Sequence, residues 1–158
     1  AQQFASFNGL EVVEELIARK RPAMLLTTFQ APERLILRAA RSRVPVIKGR
    51  DGFRIEEIAL LRNIVSREIA DQPVPSRKPH RVLLRVEAVR DNDVDVIVPS
   101  WRRDHALILS KSLLGESVRD IVNRGDYLLG DVNIGAENED ELYFVNINEI
   151  VEPVEDLT

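Results

Sequence analysis

The stretch RPAMLLTTFQAPERLILRAARSRVPVIKG, residues 21–49, contains two short apolar runs separated by a segment with helical spacing. The first run, residues 23–26, leads into Thr27, and the second, residues 44–47, leads into Lys48. Apolar runs of this length are typical of fully buried strands. The stretch therefore predicts a strand, a helix and a second strand, with a hydroxyl at the end of one strand and an amine at the end of the other.

Helical patterns flank this stretch on both sides. The first helix is expected to begin at an Asn8 cap and to end at Pro22. The last runs from about residue 53 to Ala70, with an apolar face of period 3.6 made of Ile55, Ile58, Leu60 or Leu61, Val65 and Ile69. Helices that alternate with strands favour a parallel sheet, so residues 1–70 are predicted to form an α/β segment.

Residues 71–80, DQPVPSRKPH, are the predicted linker, because their three prolines disfavour helix and lack amide hydrogens. Beyond them the apolar period changes to two. Residues 81–152 predict three strands, a helix over residues 112–125, and two more strands, and residues 153–158 are left as a tail. The second half is therefore predicted to be an all-β domain of five strands and one helix.

Composition excludes several classes of function. The 158 residues are 44% hydrophobic and 30% charged, which is ordinary for a globular protein, and there is no cysteine for a disulfide, a thiolate metal site or a nucleophile. No apolar run is long enough to span a membrane, and the first residues do not have the pattern of a signal peptide. A soluble cytoplasmic protein is the default expectation. No catalytic or nucleotide-binding motif is present, so an enzyme is not expected.

The two halves differ in charge. Residues 1–80 carry 14 Lys and Arg against 9 Asp and Glu, a net charge of +5, whereas residues 81–158 carry 8 against 17, a net charge of −9. Such a split favours two units with different surfaces. The acidic half is a poor match to a phosphate-backbone binder, which depends on Lys and Arg.

Residues 7–65 resemble the second half of a bacterial response-regulator receiver domain, which has a flavodoxin-like fold. The matching features are Asn8-Gly9 in the loop that opens a helix, Thr27 at one strand end, Lys48 at the next, and the long last helix. In that family the hydroxyl and the lysine contact a phosphorylated aspartate at the carboxyl ends of the strands, with a Mg²⁺ ion held by acidic side chains. The resemblance implies that Thr27 and Lys48 are switch positions in two-component signalling.

The sequence also departs from the receiver pattern. The position of the phosphate acceptor falls near Ala1, and the proline expected after the lysine is Gly49. The strands that carry the magnesium ligands have no counterpart, so this sequence provides no phosphoryl acceptor, and Mg²⁺ is expected only if an upstream receiver half exists. The chain either begins inside a larger receiver protein or is a degenerate receiver. A simpler reading remains open: Thr27 satisfies a backbone group and Lys48 is solvated.

The second half resembles an OB-like small β-barrel in the order of its elements only. Such barrels bind nucleic acid through basic grooves and stacked aromatic rings. The candidate contacts lie in SWRRDH, residues 100–105, and are Trp101, Arg102, Arg103 and His105. The competing interpretation is that these rings pack in the core. No spacing of His and carboxylates predicts a metal site.

Two functions follow from these patterns. The first is a signal-transduction or regulatory module in which a receiver-like segment and a β-barrel output domain act by protein–protein contact, with a protein partner or as a homodimer. The alternative is a nucleic-acid-binding OB-like protein, which the acidic second half makes less favourable.

Overall fold

The computed structural model describes residues 5–27 and 31–152, with side chains throughout except at residues 5–8, 31–33 and 52. The chain divides between Arg77 and Lys78 into two compact units, and each is described by itself. The division falls within the predicted linker of residues 71–80. That stretch also contains a 3-10 turn, Pro75–Arg77, and the first residue of a strand, His80. The predicted tail, residues 153–158, lies outside the described residues.

The first unit has three helices and two short strands. They are α1 (Ala5–Ala18), β1 (Leu25–Thr27), α2 (Ala31–Ala40), β2 (Ile47–Gly49) and α3 (Ile58–Ile69). The two strands are parallel, with Leu25 opposite Ile47. The predicted α/β order and the parallel pairing are confirmed, although each strand lies one to three residues later than its apolar run. A complete flavodoxin-like sheet is not observed, since the described part of this unit has two strands.

Two apolar clusters cover the two faces of this small sheet. Leu25 and Ile47 pack with residues of α1 and α2, namely Leu10, Val13, Leu37 and Ala40. Val46 packs instead with Leu61 and Val65 of α3. Because successive side chains of a strand point to opposite faces, α1 and α2 lie on one side and α3 on the other. Helices on both faces are the usual cover of a parallel sheet.

Helices α1 and α3 end in the same way, without glycine. After α1, the amide of Lys20 donates to the carbonyl of Ile17 at 2.8 Å and that of Arg21 donates to Leu16 at 2.8 Å. This is the hydrogen-bond pattern of a Schellman motif, and Lys20 takes the left-handed φ of 62° that the motif requires. Asp71, with a φ of 61°, occupies the same place after α3.

Two helix starts differ from their prediction. Helix α1 begins at Ala5, so Asn8 and Gly9 lie inside it and the Asn8 cap is wrong. Ala5 and Ser6 are compatible with a helix, so the helix extends past Asn8 to Ala5. Helix α3 begins at Ile58 rather than near Phe53. Phe53 and Arg54 are extended, since Phe53 packs against the cluster around Leu61 and this packing interrupts the helix.

The second unit has five strands and a short helix. They are β3 (His80–Val89), β4 (Asp93–Ile97), β5 (Ala106–Ser110), α4 (Glu116–Arg119), β6 (Tyr127–Val132) and β7 (Phe144–Val151). The sheet is antiparallel in the order β5-β4-β3-β6-β7. The predicted element order is confirmed. The predicted barrel is not confirmed, because the sheet is not closed. The structure shows an open five-stranded antiparallel sheet.

The predicted helix over residues 112–125 is mostly absent. Lys111–Leu113 form a 3-10 turn, and only Glu116–Arg119 are α-helical. Between them Leu114 is extended and forms an isolated parallel bridge with Ile147 of β7. The amide of Gly115 also donates to the carbonyl of Ile147 at 2.7 Å. Pairing with β7 therefore takes the place of helical hydrogen bonds at this point.

The core of the second unit is a single cluster on one face of the sheet. Its largest fully buried members are Phe144, Leu84, Leu107, Leu109, Leu114, Leu128, Leu142 and Ile147. Gly130 permits the closest approach, because a Cβ atom there would lie 2.7 Å from Cγ1 of Ile147. Within the described residues, no helix combines the length and apolar character needed to cross a membrane.

Candidate functional site

Thr27 and Lys48 lie at the carboxyl ends of neighbouring parallel strands. Lys48 pairs with Leu26, while Thr27 pairs with Gly49. Successive side chains of a strand point to opposite faces of the sheet. Thr27 therefore lies with Leu25 on the side of α1 and α2, and Lys48 lies on the side of α3. Thr27 is 3% exposed and Lys48 is half-buried. The structure brings the two residues to one end of the sheet but not to one face of it.

The remaining receiver positions fall partly outside the described residues. Ala1, at the expected place of the acceptor, and Thr28 are outside them. Within the described ranges, Lys48 forms no ion pair with a carboxylate. The role of Thr27 and Lys48 as switch positions therefore stays a prediction.

Trp101 is fixed in place by the loop that connects β6 to β7. Its indole Nε1 donates a hydrogen bond of 2.7 Å to the carbonyl of Ala136. The guanidinium of Arg102 lies 4.3 Å from the centre of the Trp101 ring and donates to the carbonyl of Glu137 at 2.9 Å. One face of the ring is thus covered by an intramolecular cation–π contact. A base could stack on that face only by displacing Arg102.

His105 completes this cluster. Its Nε2 lies 3.1 Å from a carboxylate oxygen of Glu139, and its ring meets Trp101 edge to face with 6.0 Å between centroids. Trp101, Arg102 and His105 are therefore brought together, but they hold the loop before β5 against the loop after β6. Arg103 is exposed and does not join the cluster.

Most of the arginines in the second unit are already bonded within the unit. Arg81 donates to the carbonyl of Asn146 at 2.6 Å, and Arg85 pairs with Glu87 at 2.6 Å. Arg90 pairs with Asp95 and Asp93. The hydrogen bond that Arg85 donates to Glu87 raises the pKa of Arg85, and those that Arg90 donates to Asp95 and Asp93 raise the pKa of Arg90. These cations are held by carboxylates, which leaves little positive charge for a phosphate backbone.

The described residues contain no group of three or more His, Asp and Glu side chains arranged to hold a metal ion. The acidic run at residues 137–141 is instead used locally, with Glu139 near His105 and the carbonyl of Glu141 accepting from Asn133 at 3.0 Å. In the first unit, a cleft of about 380 Å³ has an apolar wall that includes Ile17, Pro45 and Ile69.

Sequence reasoning missed an apolar surface at the beginning of α3. Ile55 is 73% exposed, Leu60 is 66% exposed and Ile58 is 40% exposed. Ile55 and Ile58 were expected on a buried face together with either Leu60 or Leu61, but Leu61 and Val65 form that face. A signal was present for Leu60, because adjacent Leu60 and Leu61 cannot both point into the core. Ile58 keeps the helical spacing of Leu61 and Val65, and Ile55 lies in a 3-10 turn before α3, so the pattern gave no signal of their exposure.

Comparisons with protein-family models, with curated proteins and with solved structures found no match.

Proposed function

We propose that this protein is a signal-transduction or regulatory module that acts by protein–protein contact. In this proposal the first unit is a receiver-like segment and the second, OB-like unit is its output domain. The observation that carries the proposal is the exposure of Ile55, Ile58 and Leu60 within six residues of the first unit. Clustered exposed aliphatic side chains are typical of interaction surfaces.

Two further observations support a receiver-like origin. The first unit has parallel strands with helices on both faces, and Thr27 and Lys48 lie near the carboxyl ends of these strands. Parallel α/β sheets carry their sites at this end.

The nucleic-acid alternative has weaker support. Arg103 is an exposed cation beside the half-buried Trp101. However, Arg102 covers one face of that ring, and the arginines of β3 and its hairpin are paired with carboxylates. Such binding needs both stacking of bases on aromatic rings and neutralisation of phosphates by cations.

Photo-crosslinking in living cells tests the proposal. A benzophenone amino acid replaces Leu60 in one variant and Ile121, an exposed residue of the second unit, in the control. We expect adducts from position 60 that protease removes and nuclease does not, and few adducts from position 121. The absence of protein adducts at position 60, or adducts that only nuclease removes, would contradict protein–protein contact through this surface.

A further inference from the structure

The cleft in the first unit lies beside the segment that leads from α2 into β2. The end of α1, this segment and the end of α3 form it, and its volume is about 380 Å³. Pro45 lines the cleft and precedes β2 by two residues, so the cleft is at the amino end of that strand. Thr27 and Lys48 lie towards the other, carboxyl end of the small sheet. The cleft is therefore a separate candidate site.

The wall of the cleft is apolar and is held by the core. Pro45 is buried, and Ile17 and Ile69 are half-buried. Ile17 packs against both apolar clusters of the unit, and Ile69 packs against the cluster around Leu61. A ligand that covers these side chains removes apolar surface from water, which favours binding. The cleft therefore suits a ligand with an apolar body.

The charged residues that line the cleft leave one positive charge without a partner. Glu14 accepts a 3.3 Å hydrogen bond from Arg43, and both carboxylate oxygens of Glu68 accept from Arg77. Among the described residues, the ammonium group of Lys20 takes part in no ion pair or hydrogen bond. Because each lining carboxylate already faces a guanidinium, the charge of Lys20 remains for a ligand.

Ser42 adds a neutral hydrogen-bond donor to the same cleft. It is half-buried, and within the described ranges its hydroxyl has no hydrogen-bond partner. A hydroxyl and an ammonium can each donate to an oxygen of one carboxylate. A dianion such as phosphate is less favoured, because Glu14 and Glu68 also line the cleft and repel a second negative charge.

We propose that the cleft binds a small carboxylic acid with an apolar body. The apolar part lies against Ile17, Pro45 and Ile69, and the carboxylate accepts from Lys20 and Ser42. The volume of the cleft is near the lower end of the range for ligand pockets, which limits the ligand to a small molecule. Ligand binding by the first unit is a function beyond the proposed protein contact.

Amide NMR spectroscopy of the full chain, with phenylacetate as the probe, tests this assignment. Phenylacetate combines one carboxylate with a small apolar ring. Its addition is expected to shift the amide signals of Lys20, Ser42, Arg43 and Ile69, and a titration of these shifts measures the Kd. Phenylacetamide has nearly the same shape without the charge, so it is expected to bind at least about tenfold more weakly.

Substitutions at Lys20 test the role of its charge. Lys20→Gln removes the ammonium group and is expected to raise the Kd about tenfold, whereas Lys20→Arg keeps the charge and is expected to stay within about threefold of the unmodified chain. Lys111→Gln removes an ammonium group from the second unit and is the matched control, for which no change is expected. Circular dichroism establishes that each variant is folded.

A second pair of variants tests the location of the site. Ala18 is exposed and lines the cleft. Ala18→Glu adds a carboxylate there and is expected to weaken the binding of phenylacetate at least about tenfold, because like charges repel. Ala18→Gln adds a side chain of nearly the same size without the charge and is expected to bind more tightly than Ala18→Glu.

The proposal is overturned if millimolar phenylacetate shifts none of the amide signals named above, if phenylacetamide binds equally well, or if Lys20→Gln leaves the Kd unchanged. Tighter binding of phenyl phosphate than of phenylacetate would also overturn it, because the ligand class would then be a phosphate ester. Crosslinking from position 60 tests the protein contact separately, since Leu60 does not line the cleft.

Discussion

Arg77 and Glu68 form a two-pronged ion pair at the end of the first unit. Nε and Nη2 of Arg77 each donate a 2.8 Å hydrogen bond to one oxygen of the Glu68 carboxylate. The Arg77 side chain is 6% exposed and that of Glu68 is 22% exposed. Arg77 is the last residue of the first unit, so this pair ties the chain back to the end of α3 at the point where it leaves the unit.

Glu68→Gln is expected to lower the free energy of unfolding by about 2 kcal/mol, because a nearly buried guanidinium loses its carboxylate. Urea denaturation followed by circular dichroism at the helical band measures the change. The matched control is Glu15→Gln, which breaks the exposed pair with Arg19 and is expected to cost less than about 0.5 kcal/mol. Equal effects of the two substitutions would contradict a special role for the Arg77 pair.

Lys20→Gly is expected to stabilise the protein by about 0.5–1 kcal/mol. Lys20 has a φ of 62°, which a side chain disfavours and glycine adopts freely. Thermal denaturation compares it with Lys20→Ala, which removes the ammonium but keeps the Cβ atom. If the alanine variant is stabilised as much as the glycine variant, the gain does not come from backbone conformation.

Gly130→Ala is expected to destabilise the second unit by about 1–3 kcal/mol, since the new methyl group would lie 2.7 Å from Cγ1 of Ile147 in a packed core. Gly125→Ala provides a contrast: nothing lies near its Cβ position, but its φ of 91° disfavours any side chain. We expect the methyl NMR signals of core side chains to shift in the Gly130 variant and to stay in place in the Gly125 variant, because only the first change disturbs core contacts. An unshifted methyl signal of Ile147 would refute the predicted clash.

Trp101→Phe is expected to lower stability by about 1 kcal/mol or more, because a smaller aromatic ring remains while the N–H donor to the Ala136 carbonyl is lost. Urea denaturation followed by circular dichroism in the far ultraviolet measures the loss. Arg103→Ala, at an exposed position that does not join the Trp101 cluster, is the control and should be neutral. A neutral Trp101→Phe variant would show that the indole hydrogen bond does not hold the two loops together.

Titration with a single-stranded oligonucleotide is expected to leave the fluorescence of Trp101, the single tryptophan of the chain, unchanged at low salt. Arg102 covers one face of the ring, and Arg81, Arg85 and Arg90 are engaged within the unit. Quenching that weakens as salt is raised would instead support the nucleic-acid alternative. Poly-glutamate, a polyanion without bases, serves to identify any purely electrostatic effect.

The local sequence pattern was sufficient to predict several features of the fold. The short apolar runs around residues 23–26 and 44–47 predicted two parallel strands, and the change of period after residue 80 predicted five strands in the second half. Burial of one face makes such periods visible in sequence. The interruption of the helix that was predicted over residues 112–125 could not be predicted, because Leu114 pairs with Ile147, a residue distant in the chain.

The residues of the candidate surfaces were likewise predicted from the sequence only in part. Residue type identified Trp101, Arg102 and His105 as a group, and the structure places them together. The spacing of SWRRDH does not specify that Arg102 covers the indole or that Glu139 lies beside His105. Both contacts depend on the loop after β6. The exposure of Ile55, Ile58 and Leu60 likewise depends on which side of α3 meets the sheet.

The sequence by itself determined the α/β character of the first half, the five strands of the second and the difference in charge between them. These properties follow from side-chain period and composition, which are local. Only the tertiary structure decided that Thr27 and Lys48 lie on opposite faces, that the five-stranded sheet stays open, and that Ile55, Ile58 and Leu60 remain exposed. Each of these depends on contacts between residues far apart in the chain, which local propensity does not specify.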